Sequence, residues 1–276
     1  MENPTENNAH SRADRAATGR VVGTEPEDGT ISLFGLDVVD TTIERTAEWI
    51  VTAARAAKPL QVSFLNADCV NIMHRNPAYR DVLERSDRIL ADGIGVRLAA
   101  RFAGHRLRDN VNGTDLFPIL CRHAAAEQIG IFLFGARDGR ARSAGEAMRD
   151  RNRGLIISGS HHGYIKDAAD EARLIDAINT SGAGILLVAL GAPAQELWIA
   201  RNRHRLRPAV ILGVGGLFDY YSGSVARAPL VIRRVGMEWA WRLAMEPKRL
   251  ARRYLLGNAE FLMRLGMTSA TSSRAG

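Results

Sequence analysis

Between Ile31 and Val214, short runs of β-branched and large apolar residues alternate with longer stretches whose apolar positions recur at helical spacing. A chain patterned this way buries its apolar runs as neighbouring parallel strands, each helix crossing a sheet face to start the next strand. The strand candidates are Leu60 to Leu65, Arg88 to Ala91, Ile129 to Phe134, Leu155 to Ser158, Gly184 to Leu190 and Val210 to Val214. Helical patterns fill Thr42 to Ala56, Ala67 to Glu84, Gly93 to Ala103, Thr114 to Glu127, Gly139 to Arg149, Ala168 to Asn179 and Ala194 to His204. Thr41 and Asp138 are the expected N-caps, and Pro77 is expected to split the second pattern in two. The predicted fold class is α/β, a mostly parallel Rossmann-like sheet flanked by helices over residues 29–222.

The flanks follow different rules. Residues 1–28 are polar, lack the apolar stretch of a secretory signal, and are expected to form a disordered extension. After Gly223 no further strand pattern occurs, and the chain reads as helices to Leu265, with a small polar tail over 267–276 expected to be disordered. The segment 223–266 is a basic amphipathic helical appendage. From Arg227 to Arg264 it carries nine Lys or Arg against three acidic residues, so +6 of the chain's net +7 sits there. Such a concentration suits phosphate groups or an anionic membrane surface. Trp239, Trp241, Tyr254 and Phe261 are its candidates for entering the lipid interface. No apolar run approaches the roughly 20 residues of a spanning helix, so the chain is not expected to be transmembrane. Cys69 and Cys121 are far apart, without metal-ligand spacing, and fit a reducing cytoplasm with neither disulfide nor structural metal.

In open α/β sheets ligands collect beyond the carboxyl ends of the strands, which singles out the polar residues just after each strand candidate. Asp92, before Gly93, suits a carboxylate that accepts a proton from a substrate hydroxyl, and equally suits a helix cap. Asn66 offers both donors and an acceptor, and it too reads as a cap. Gln195 lies with Glu196 at the mouth of the sheet, where a surface amide is also commonplace. Gly213, Gly215 and Gly216 allow close backbone approach to a diphosphate, but the pattern is not G-x-G-x-x-G, which argues against a nicotinamide cofactor. Gly135 to Gly139 is a second loop of that kind. His161 and His162 lack a third ligand and read as a turn. No Asp-Xaa-Asp occurs anywhere, so arginines must neutralise any leaving diphosphate.

Together with Gly113-Thr114-Asp115-Leu116, Leu217-Phe218-Asp219, Gly223, Arg227-Ala228-Pro229, Glu238-Trp239, Arg242-Leu243 and Glu246-Pro247, these clusters resemble the WecG/TagA/CpsF glycosyltransferases, N-acetylmannosaminyltransferase-like enzymes of glycosyltransferase family 26. The match is collinear from about Ile31 to Leu265. The resemblance implies an inverting enzyme that uses a nucleotide-diphosphate sugar, by preference UDP-linked, and a polyprenyl-diphosphate-linked acceptor in surface or exported polysaccharide synthesis. It implies Asp92 as general base, and Asn66, Gly93, Gly113, Thr114, Asp115, Gln195, Gly213, Gly215, Gly216 and Asp219 as substrate-binding positions. Arg227, Arg233 and Arg234 are the candidates for diphosphate charge. Two positions depart from the family pattern: Phe64 stands where Thr is common, so that a hydroxyl contact is lost or is supplied by Ser63, and Asn110 stands where Arg is common.

The enzyme so read needs no cofactor or metal, works in the cytoplasm at the inner face of the cell membrane, and binds no nucleic acid; a homo-oligomer is compatible with it. A soluble Rossmann-like enzyme using a nucleotide cofactor has only the glycine loops in its favour. A nucleic-acid-binding protein has only the basic segment, and leaves Asp92 and Gln195 without a task.

Overall fold

A computed structural model describes residues 28–272 of the chain. It opens with a hairpin, β1 (Gly29–Leu33) and β2 (Leu36–Asp40), followed by α1 (Ile43–Arg55), β3 (Leu60–Leu65), α2 (Ala67–Arg75), α3 (Pro77–Glu84), β4 (Arg88–Ala91), α4 (Ile94–Phe102) and α5 (Gly113–Ala126). Next come β5 (Ile131–Gly135), α6 (Arg140–Arg151), β6 (Ile157–His161), α7 (Ala168–Thr180), β7 (Ile185–Ala189), α8 (Ala194–Asn202), β8 (Val210–Gly213) and α9 (Leu217–Tyr221). The C-terminal segment is helical: α10 (Leu230–Arg234), α11 (Glu238–Met245), α12 (Pro247–Ala251), a π-helical turn over Arg252–Leu256, and α13 (Gly257–Ser272).

The strands form one sheet in the order β1-β2-β4-β3-β8-β7-β5-β6, parallel except for the edge strand β1. The segments IFLFG of β5, ILLVA of β7 and VILG of β8 are buried throughout, as strands covered on both faces must be. One face packs against α1, α5, α6 and α9 through Ile50, Leu120, Met148 and Phe218. The other is covered in two parts, α7 and α8 over the β5 to β8 half, and α2, α3, α4 and α13 over the β2 to β4 half.

The helix starts follow from capping chemistry. Asn66, Asn76, Asn112 and Asp167 each accept a backbone N–H in the first turn of α2, α3, α5 and α7, and Pro77 divides α2 from α3 as expected. Two caps differ by one residue. Thr42, not Thr41, accepts from Arg45 N at 3.3 Å, because Thr41 is itself buried. Gly139, not Asp138, precedes α6, where φ of +77° favours glycine. Strand β6 begins two residues later than Leu155, whose N–H is held in a turn by Asn152 O at 3.1 Å.

The hairpin was not among the strand candidates. Its turn is Phe34-Gly35, with φ of +55° and +79°, the primed geometry that Asn-Gly or Asp-Gly usually announces. Residues 1–27 and 273–276 lie outside the described residues, so most of the expected extension and the end of the expected tail do too. Asp28, placed in that extension, is anchored by Arg45 and Arg108, each at 3.0 Å. Residues 267 to 272, read as tail, continue α13. No helix among the described residues is long and apolar enough to cross a membrane.

Helix α13 is wedged into the molecule. Phe261 and Leu265 are 2% and 6% exposed and join Val70, Met73, Val96 and Ala100 in the core. Gly95 lets Phe261 pack closely, since a Cβ there would meet the Phe261 ring at 3.2 Å. Phe261 therefore cannot reach a lipid interface.

Gly135 closes β5 at φ +127°, and a Cβ at this position would lie 2.4 Å from Ala189 O. Gly135→Ala is expected to cost at least about 2 kcal/mol, combining backbone strain with a contact that only strand separation relieves. A lower urea midpoint measures this; an unchanged midpoint would show that the β5 and β7 ends part freely.

Candidate active site

Parallel pairing of β3 with β4 sets Leu65 opposite Ala91, so the next residues, Asn66 and Asp92, leave the sheet side by side. Asp92 N donates to Leu65 O at 2.9 Å, and Asn66 Nδ2 donates to Asp92 Oδ2 at 3.2 Å. Asn66 Oδ1 meanwhile accepts from Cys69 N at 3.0 Å, so the residue that caps α2 is also the one that bonds Asp92. The cap of α4 is Gly93, at φ +89°, and Asp92 does not serve as one. Asn110 joins this group, its Oδ1 accepting from Gly93 N at 2.6 Å. Where the family pattern has an arginine, this chain has an amide that holds the turn behind the half-buried Asp92.

Beneath this rim Phe64 is 6% exposed and lines, with Gly113, Leu116 and Val214, a small apolar void too tight for a sugar. The idea that Ser63 supplies the hydroxyl absent at Phe64 is not upheld. Strand alternation sends Ser63 to the opposite face, where it is 1% exposed and bonds Ser86 Oγ at 2.8 Å.

Gln195 is a clasp under the next two loops. It is 4% exposed; its Oε1 accepts from Gly191 N at 3.1 Å and Gly215 N at 2.9 Å, and its Nε2 donates to Glu196 Oε1 at 2.8 Å. The amide is thus spent on holding the β7–α8 and β8–α9 loops together. Gly213 lacks a side chain because a Cβ would sit 2.8 Å from Gln195 Nε2. The Gly215 N–H, a candidate for a diphosphate, is directed at Gln195. Gly216 instead faces Arg242, whose guanidinium occupies the space a Cβ would need.

The third cluster joins α5 to the C-terminal segment. Asn112 caps α5, its Oδ1 accepting from Asp115 N at 2.8 Å, and its Nδ2 donates to Asp115 Oδ2 at 2.7 Å. The other oxygen of Asp115 is bound by Arg227 and, at 3.5 Å, by Arg233. Arg227 also meets Glu238 at 3.5 Å, and Thr114 O accepts from Tyr221 Oη at 2.6 Å. Asp219, 7% exposed, bonds Arg140 and lies 3.9 Å from Arg242. Arg234 lies in α10, but its side chain is outside the described ones.

A glycosyl transferase model, the WecG/TagA/CpsF family, matches residues 31–275. The chain belongs to this family. It is 38% identical over 178 residues to N-acetylglucosaminyldiphosphoundecaprenol N-acetyl-beta-D-mannosaminyltransferase of Bacillus spizizenii, covering 64% of this chain and 68% of the relative. The enzyme of the same name from Bacillus subtilis is 35% identical over 69% of this chain and 73% of its own. That from Staphylococcus aureus strain MW2 is 29% identical over 80% and 87%. The chain is therefore a glycosyltransferase.

In this transferase the structure gathers Asn66, Asp92 and Gly93 at one point, Gln195, Gly213 and Gly215 at a second, and Gly113, Thr114, Asp115, Arg227 and Arg233 at a third. Asp219 sits with Gly216 and Arg242. Sequence reasoning had not assigned Asn110, Arg140 or Arg242 to the site. Arg242 lay within a quoted motif, but Arg140 gave no signal, since its partner Asp219 is 79 residues away. Among the described residues no His, Cys, Asp and Glu groups gather to hold a metal ion.

Glu196, behind the clasp, is 1% exposed, and its Oε2 has no partner among the described residues. Burial raises its pKa, and the bond from Gln195 only partly opposes this. A carboxyl whose folded pKa exceeds its unfolded value holds more protons when folded, so stability falls as pH rises from the ordinary carboxylate range to the raised value. Glu196→Gln is expected to remove that decline. Urea titrations at rising pH, starting from the ordinary carboxylate range, should show wild type losing stability relative to the variant; parallel curves would mean the carboxyl ionises as readily when folded.

Proposed function

We propose that this transferase moves a sugar, N-acetylmannosamine or a close relative, from its UDP derivative to a saccharide carried on polyprenyl diphosphate, inverting the anomeric centre. The supporting observation is the Asp92 carboxylate, tied to Asn66 at the carboxyl edge of the sheet, with an arginine-bearing C-terminal segment docked beside it. The printed activity of the Bacillus and Staphylococcus relatives supplies the substrate classes.

In this mechanism Asp92 takes the proton of an acceptor hydroxyl as that oxygen bonds to the anomeric carbon. The bond from that carbon to the diphosphate oxygen breaks on the opposite face, and the nucleoside diphosphate leaves with the electron pair. Asn66 orients the carboxylate. Arg227 and Arg233 meet the diphosphate charge by sharing or exchanging Asp115. Gln195 acts at one remove, by positioning the Gly191 and Gly215 loops. Phe64 and Asn110 replace a hydroxyl and a cation in the family pattern; Phe64 is buried against the apolar void, and we assign to Asn110 the positioning of the Gly93 turn behind Asp92.

The acceptor's lipid tail requires the enzyme to work at the membrane, and we place it at the cytoplasmic face. Of the aromatic residues first considered, Phe261 is core, Trp239 packs on Tyr254 at 5.9 Å, and Trp241 donates to Ala226 O at 3.1 Å. The exposed large apolar side chains of this segment are leucines, valines and methionines, among them Leu230, Val231, Val235, Leu255, Leu256 and Met263. These, with the surrounding cations, form the proposed contact with anionic lipid.

Asp92→Asn keeps the shape and removes the basicity. Turnover on UDP-N-acetylmannosamine and a short-chain polyprenyl-diphosphate saccharide, read by mass spectrometry, should fall by about 10² to 10⁴-fold with UDP binding intact; wild-type turnover would assign the base elsewhere. Removing the segment after Ser222 would strip Phe261 and Leu265 from the core, so membrane contact is better probed by Val231→Asp with Leu256→Asp. Sedimentation with phosphatidylglycerol vesicles should show binding weakened by roughly tenfold or more, with thermal stability kept. Undiminished binding would remove this face from the membrane account.

A further inference from the structure

Two adjacent side chains in the first turn of α8, Gln195 and Glu196, are buried together and bonded to each other. Neighbouring residues of a helix do not face one another, so this bond is not a by-product of helical geometry. Both side chains have to turn toward the same point. That point lies against Gly213, where a Cβ would meet the Gln195 amide nitrogen at 2.8 Å.

A glutamine amide has an accepting end and a donating end of nearly equal size, and the two act on the loops in opposite ways. With Oε1 toward the rim, the amide receives the N–H groups of Gly191 and Gly215. Turned over, it would set its own N–H groups against theirs. The partner on its far side decides between the two, because an acceptor there requires Nε2, and Glu196 Oε1 is that acceptor at 2.8 Å. The Cys69 thiol of α2 and the Tyr79 hydroxyl of α3 lie within reach of the Glu196 charge; burial first, and that charge in part, keeps both neutral. Neither is a cation. A buried carboxyl held so sparingly is less favourable than a leucine or methionine of similar volume, and the use that remains is the oxygen it presents to Gln195.

Gly215 precedes Gly216, which faces the Arg242 guanidinium, so the turn gripped by the amide is also the one that meets the C-terminal segment. We propose that Glu196 is a positioning residue for sugar transfer: its carboxyl oxygen fixes which way round the Gln195 amide sits, and thereby holds the β7–α8 and β8–α9 loops against each other at the rim. Its effect on the loops rests on the hydrogen bonds alone; its effect on turnover rests on the donor and acceptor reading above. Glu196, 1% exposed, meets no substrate and acts through Gln195.

The test is residue-resolved amide hydrogen exchange on the full chain, with turnover measured on the same proteins: wild type, Glu196→Met, which keeps the volume and removes the acceptor, and Glu196→Gln, which keeps an acceptor oxygen. Gly191 and Gly215 should exchange faster by roughly tenfold or more in Glu196→Met, while Val214, whose N–H donates to Val188 O at 2.8 Å in the adjoining ladder, keeps its protection. Turnover on UDP-N-acetylmannosamine and the polyprenyl-diphosphate saccharide should fall by roughly ten- to a hundredfold in Glu196→Met, with Glu196→Gln near wild type in both measurements. Unchanged exchange at Gly191 and Gly215 in Glu196→Met overturns the proposal. So does equal loss at Val214, which makes Glu196 a packing residue, and so does a Glu196→Gln protein that behaves like Glu196→Met. Loosened loops with full turnover overturn its part in transfer. A wild type that turns over no UDP-sugar counts against the donor reading, and the exchange rates still decide whether Glu196 sets the clasp.

Discussion

The amide of Asp92 donates to the carbonyl of Leu65, and this rung of the β3–β4 ladder sets the geometry of everything around it. In parallel pairing neighbouring strands end at the same edge, so the residue after each strand falls into one row. Asn66 and Asp92 become neighbours through register, although 26 residues separate them. The same rule brings the loops after β7 and β8 close enough for one glutamine oxygen to hold both. The chemistry depends on the sheet more than on any loop's own conformation.

The C-terminal segment differs from an arm laid over a finished domain. Phe261 and Leu265 complete the core on the α2–α4 face, Gly95 is bare to admit Phe261, and Gly236 lies against Ile94 at the start of α4. Its outward aliphatic residues and its inward arginines thus belong to one packed body with the turn that carries Asp92. Moving this segment would also mean unpacking the α4 face.

Much of this was legible in the sequence, and the exceptions have physical causes. The alternating grammar announced the parallel strands because fully buried strands must be continuously apolar. The β1–β2 hairpin escaped because Phe34-Gly35 makes a primed turn without the usual asparagine or aspartate. Asn66 and Asp92 could be found as polar residues that end apolar runs. The clasp made by Gln195 could not, since its partners Gly191 and Gly215 contribute only backbone. Phe261 looked like an interfacial aromatic because amphipathic spacing does not say which side meets protein. Arg140 was invisible for a related reason: the side chain it neutralises, Asp219, lies 79 residues further along the chain.

Asp115 holding two guanidinium groups has a further consequence. Gathering like charges at one point is unfavourable, and here the carboxylate offsets that repulsion before any substrate arrives. A diphosphate entering as proposed would find its cations already assembled and would exchange one anion for another. The carboxylate then serves as a placeholder, and the affinity of the site reflects the difference between two anions, not the full attraction of either.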